Sequence, residues 1–268
     1  MARVALNVPA RRTGNWSSSK LLRQVAFYIL FLLIWEGIAL AHIWPSYSFP
    51  APTDVWASLV SGFQDSSIPG GALVSLQRLA IGYGVSLVIG VILGLLIGRY
   101  RIIADTFGSL ILGLQALPSI CWLPLAILWF GLTEQAIIFV VVMGALFSIT
   151  LGVEAGIKNT PPLYLKAARN MGARGLALST EVVLPAALPS ILTGLKQGWS
   201  FAWRSLMAAE LLYATLSLGN LLENARNLDD IAGVVAVMIV IIVIGVAING
   251  LIFAPLERHV RERWGLTA

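Results

Sequence analysis

Lys166-Ala-Ala-Arg-Asn-Met-Gly172, followed after nine residues by Val182-Val-Leu-Pro185, is a polar island between long apolar runs. Across the 268-residue chain, 58% of residues are hydrophobic, only 12% are charged and mean hydropathy is +0.85. That composition excludes an ordinary water-soluble domain. A spanning helix needs roughly 20 mainly apolar residues, because a helix satisfies its own backbone hydrogen bonds where no water reaches. Six segments read as spans: Val25 to Trp44, Gly71 to Gly98, Ile102 to Leu117, Gln135 to Gly156, Leu188 to Leu212 and Ile231 to Phe253. Pro118 and Pro124 interrupt the third, which can run on irregularly to Phe130.

Positive charge orients the spans, since short loops rich in lysine and arginine stay on the cytoplasmic side. Arg3, Arg11, Arg12, Lys20 and Arg23 precede the first span, and Arg99 and Arg101 follow the second. Lys158, Lys166, Arg169 and Arg174 follow the fourth, and Arg258, Arg261 and Arg263 follow the sixth. All four sites fall on one side. The opposite loops contain Arg226 against Asp54, Asp65, Glu134, Glu223, Asp229 and Asp230, so both termini are expected to be cytoplasmic. The chain divides into a cytoplasmic N-terminal segment (1–24), a transmembrane domain (25–256) with its polar loop at 157–187, and a cytoplasmic tail (257–268). The net charge of +5 follows from this asymmetry and from contact with anionic lipid, not from nucleic-acid binding.

Basic residues before an apolar run also suggest a signal peptide, but the run is of spanning length rather than that of a short signal core. The lone Cys121 excludes an internal disulfide, and His42 and His259 fall on opposite expected sides, which argues against a Cys/His zinc site. Residues 1–20 read as a loose lead-in. Pro45, Pro50 and Pro52 precede Thr53, an expected N-cap for a short interfacial helix with Val55, Trp56, Leu59, Val60 and Phe63 on one face. Ser86, Gly90, Gly94 and Gly98 recur every four residues and predict a close-packing seam within the subunit. Leu256 to Trp264 alternates charge with apolar anchors, as at an inner membrane surface.

The polar island itself predicts two short helices, Leu163 to Met171 and Arg174 to Val183, with Gly172 permitting a sharp break between them. The second is expected to end before Pro185, with Pro189 in the first turn of the next span. Ala167 and Ala168 would let a partner groove close tightly on this knuckle.

At these residues the chain resembles the permease subunits of bacterial ABC importers. Their signature runs Glu-Ala-Ala, three residues, Gly, nine residues, an Ile-like residue, one residue, Leu-Pro; Ala167, Ala168, Gly172, Val182, Leu184 and Pro185 stand at the matching positions. Lys166 replaces the usual glutamate, while Arg169 lies inside the motif. Ala116 to Gly131, Leu184 to Leu195 and Ala208-Ala-Glu210 look like the nitrate, sulfonate, taurine and bicarbonate branch. The resemblance implies an all-α fold of six transmembrane helices, the type I importer permease fold, with a cytoplasmic coupling helix seated in a partner ATPase. It further implies a homodimer in the bacterial inner membrane and a periplasmic binding protein that delivers a small anion. ATP and Mg would be bound by the ATPase, so this chain would need no cofactor and catalyse nothing. No lysine follows a glycine, so there is no phosphate-binding loop of the Gly-x4-Gly-Lys type.

Charges inside the membrane are expensive and mark either a pathway or a buried pair. Arg204, with Ser200 and Ser205, is a candidate lining for an anion path, and Glu210 a further candidate; the competing reading pairs Arg204 with a carboxylate on a neighbouring span. Arg78 and Glu36 lie near span ends, where snorkelling to the interface is the simpler expectation. A stand-alone channel or ion-coupled carrier is the rival class, although no inverted repeat is visible.

Overall fold

A computed structural model describes residues 16–41, 43–45 and 48–264, and every regular element among them is helical. Residues 1–15, including Arg3, Arg11 and Arg12 of the expected lead-in, and His42 lie outside the described residues. The helices are α1 (Trp16–Leu40), α2 (Pro52–Gln64), α3 (Ser67–Arg99), α4 (Arg101–Ile103), α5 (Ser109–Gln115), α6 (Leu123–Phe130) and α7 (Glu134–Lys158). They continue as α8 (Pro162–Asn170), α9 (Gly175–Leu178), α10 (Leu184–Glu210), α11 (Leu218–Asn227), α12 (Ile231–Ile248) and α13 (Ala254–Arg263).

The centre of the bundle is α7, 61% of whose apolar window is buried, against 28% for α3. Small residues set its contacts with α3 and α10. Along α3 the four-residue seam meets α7: a Cβ on Gly90 would lie 2.9 Å from Ile149, and one on Gly98 would lie 2.8 Å from Ile157. On the other side Gly152 and Gly194 cross back to back, so that a Cβ on Gly194 would lie 2.6 Å from the Gly152 Cα. In lipid, packing of this kind rather than hydrophobic exclusion holds helices together. Gly194→Ala should therefore push α7 and α10 apart and destabilise the fold by about 1–3 kcal/mol, read as a lower unfolding midpoint in detergent; an unchanged midpoint would show that the crossing has slack.

Among the described residues, four helical stretches are long and apolar enough to cross a membrane, or five if the segment from Arg101 to Phe130 is one bent span. This differs from the six spans read from the sequence. The third segment breaks at Pro118, where extended backbone separates α5 from a 3-10 turn (Ser119–Trp122), and its two halves meet at 103°. Pro124 makes no break, because it sits in the first turn of α6 where no N–H is needed. The segment expected at Leu188 to Leu212 is long enough, as α10 has 27 residues, but Thr193, Lys196, Gln197, Ser200 and Arg204 make it too polar to pass as a lipid-facing span.

Several boundaries also move. α1 begins at Trp16, ahead of the expected span start, and the expected tail boundary at 256/257 falls within α13. Ala51, not Thr53, caps α2, because Pro52 supplies the first turn with its pre-set φ. Trp56, Leu59, Val60 and Phe63 line one surface of α2, as expected, with Trp56, Val60 and Phe63 turned outward and Val55 buried beside them. Glu36 does not snorkel; it accepts from the Thr53 hydroxyl at 3.1 Å and backbone N–H at 3.4 Å, tying α1 to the positive end of α2. The second helix of the polar loop does not stop before Pro185. α9 passes through a π turn (Ser179–Val183) directly into α10, so Pro185 occupies the early turn and Pro189 lies inside the helix. The π turn contains the Glu181 carbonyl, which Pro185 leaves without its usual N–H partner, and Pro189 does the same to the carbonyl of Pro185 within α10.

Candidate functional site

The knuckle is built by a helix ending. Pro161 and Pro162 start α8, and Gly172, at φ 91, stops it. The Gly172 N–H donates to the Arg169 carbonyl at 3.1 Å and the Ala173 N–H to the Ala168 carbonyl at 2.9 Å, a Schellman ending that requires a left-handed residue where glycine stands. Ala168 alone in α8 is buried, against the turn that leads into α10. Lys166, Ala167, Arg169 and Gly172 are exposed, as are Leu163 at 72% and Met171 at 82%. Val182 and Pro185 are half-buried and Leu184 is exposed at the base. A polar loop that displays large apolar side chains beside cations has the character of a protein-docking surface.

The second site is a stripe on α10. Thr193, Gln197, Ser200 and Arg204 are all exposed and fall within about 60° of one another on a 3.6-residue helix. Arg204 is braced rather than paired: its Nε donates to the Ser200 carbonyl at 3.0 Å, and its guanidinium lies 4.8 Å from the Phe201 ring centroid. Its terminal nitrogens have no protein partner among the described residues, so the expected alternative, a carboxylate on a neighbouring span, is not found. Beside it is a cavity of about 460 Å³ whose lining includes Gln115, Pro118, Ser119, Phe147, Ser148 and Arg204. The bend at Pro118 supplies one wall, and Gln115 Nε2 donates to Ser148 Oγ at 3.5 Å across it.

Ser205 and Glu210 do not join this stripe. Ser205 is buried against Gly144 and donates to the Phe201 carbonyl at 2.7 Å. Glu210 is fully buried in a network at the other end of α3. Arg78 Nη1 donates to Glu210 Oε1 at 3.1 Å, while Nη2 reaches Glu134 Oε1 and Thr215 Oγ1, both at 3.0 Å. Ser75 Oγ and the Gly219 N–H donate to Glu210 Oε2 at 2.7 and 3.2 Å, and the Leu218 N–H donates to Ser75 Oγ at 3.0 Å. The expectation that Arg78 snorkels is overturned: it is 3% exposed, because α11 folds back over the end of α3 and closes the region. Gly71 and Gly219 permit that approach; a Cβ on Gly71 would lie 3.0 Å from Leu221, and Gly219 sits against Glu210 itself.

Residues 86–262 match the family described as the binding-protein-dependent transport system inner membrane component. The chain belongs to that family. A putative ABC transporter permease of Methanocaldococcus jannaschii is 33% identical over 238 residues, covering 87% of this chain and 89% of the relative. The taurine transport system permease of Escherichia coli is 28% identical over 214 residues, 76% of this chain and 78% of its own length. A nitrate import permease of Leptolyngbya laminosa is 28% identical over 233 residues, 85% and 83% of the two chains. The protein is thus a multi-pass permease component of an ABC importer, and the resemblance at the polar loop is to its own family.

In this permease the structure unites Ser200 and Arg204 on one face and sets Ser205 and Glu210 apart. Reading the sequence missed Thr193 and Gln197, which a count back from Arg204 in helical steps of four, three and four residues would have found. It also missed Ser75, Thr215 and Gly219, whose only signal is proximity in space.

Proposed function

We propose that this permease provides half of a path for a small inorganic or organic oxyanion such as nitrate, a sulfonate like taurine, or bicarbonate. The observation behind this reading is the exposed α10 stripe ending at Arg204. An unpaired guanidinium facing lipid is costly, so the stripe is best satisfied against water at the face of a second copy of the chain. In the homodimer two such stripes would enclose the path, with six spans per copy counting α10 and the bent pair. Both termini and the 157–187 loop would be cytoplasmic. The exposed knuckle residues Lys166, Ala167, Arg169 and Gly172 would dock on a separate ATPase, with Val182, Leu184 and Pro185 joining the knuckle to α10. ATP and Mg would stay on that partner, and a binding protein would select the anion outside. One braced arginine from each copy would attract an oxyanion without the further ligands of a closed site, which suits passage better than tight binding.

The test is uptake by the assembled transporter in proteoliposomes. Arg204→Gln should lower anion uptake roughly 10–100-fold, the loss of one charged hydrogen-bonding group, while the ATPase still co-purifies. Uptake at the unsubstituted level would remove Arg204 from the path, and uptake without ATP would favour an ion-coupled carrier.

A further inference from the structure

A cavity of about 470 Å³ lies between the end of α3 and the knuckle, lined by Arg99, Arg169, Ala173, Arg174, Gly175 and Leu178. Half of these residues carry guanidinium groups and none carries a carboxylate. Two turns bring them together: Gly172 at φ 91 and Gly175 at φ 59 fold α9 back beneath α8. Arg99 Nη1 donates to Ser179 Oγ at 2.7 Å and fixes the end of α3 against the π turn. Among the described residues, no carboxylate lies within ion-pair distance of any of the three arginines. Arg99 and Arg169 sit in the last turns of α3 and α8, where a cation offsets the helix's negative end. Arg174 lies in the link outside both helices and has no such role.

Three guanidinium groups around one cavity make it a favourable place for an anion, and the guanidinium fork matches phosphate oxygens well. The basic loops place the cavity on the cytoplasmic side, where the leaflet is anionic and basic pockets between helix ends take lipid headgroups. Near the end of α3 the apolar Leu95, Leu96 and Ile102 are exposed, the last at 81%. Acyl chains could lie there with the headgroup in the cavity. We propose that Arg99 and Arg174 hold the phosphate of an anionic phospholipid in this cavity, with the exposed Arg169 at a rim shared with the ATPase, and that the lipid bridges α3 to the knuckle and steadies it for coupling. This rests on the proposed orientation and coupling role of the loop.

The test uses the permease with its ATPase in nanodiscs of phosphatidylcholine, with or without phosphatidylglycerol. Native mass spectrometry counts retained phosphatidylglycerol, and ATP turnover is measured in parallel. Arg99→Gln with Arg174→Gln should weaken phosphatidylglycerol retention roughly thirtyfold, two cations' worth, and should abolish any difference in turnover between the two lipids. Equal retention by variant and parent overturns the proposal. So does displacement of phosphatidylglycerol by inorganic phosphate, which would make the ligand soluble, or loss of the ATPase from the variant on size exclusion, which would make the arginines a protein contact. If the parent complex, reconstituted in proteoliposomes of the same two compositions, shows no ATP-driven uptake in either, the coupling role fails, while the retention measurement in nanodiscs still decides the site.

Discussion

Arg78→Met is expected to destabilise the permease by about 3–5 kcal/mol, because it strands a carboxylate with no exposed surface beneath α11. Glu134, itself 65% exposed, loses little, so the cost falls on Glu210. Ser75 and Gly219 would still donate to Glu210, but the charge they were arranged around would lack its counter-ion. In a chain of this size the loss corresponds to an unfolding midpoint lower by roughly 10 °C, measured by thermal unfolding in detergent. Adding Glu210→Leu to Arg78→Met should recover part of the loss, since a buried pair replaced by apolar groups often costs little. A midpoint unchanged by the single substitution would mean that water already reaches the pair.

Gly172→Pro should have the larger effect on transport. Proline holds φ near −65°, whereas Gly172 sits at φ 91, and the substitution also removes the N–H that donates to the Arg169 carbonyl. At about 3 kcal/mol or more, the knuckle would be displaced from its Schellman ending in roughly 99% of molecules. ATP-driven uptake in proteoliposomes should fall about 100-fold, with the amount of permease in the membrane unchanged. Uptake at the parent rate would separate the knuckle from coupling and leave α8 as a surface ornament.

These two sites were not equally legible in the sequence. Gly172 was, because a glycine after a short helical pattern marks a left-handed ending whatever surrounds it. The α3 seam was too: a four-residue recurrence of small residues is a statement about one helix face, and α7 occupies it. Arg78 was not. Its position along α3 suggested an interface, but its depth depends on α11, which folds over it from more than a hundred residues away, and no local pattern records that. The partner of Glu210 was hidden for the same reason. The proposed path residues were half legible, since Arg204 and Glu210 differ by about 240° around α10, which already argued against a shared face. Pro118 announced a break but not its angle, and Pro185 announced a stop that the π turn at Ser179–Val183 absorbs.

The back-to-back glycines where α7 and α10 cross have a mechanical consequence. Gly194 lies ten residues from Leu184 at the base of the knuckle and ten from Arg204, about 15 Å in each direction along the helix. With no side chains interleaved at Gly152 and Gly194, that point is the natural fulcrum for α10, and its two arms are equal. Any small tilt about it that carries the knuckle one way carries Arg204 an equal distance the other way.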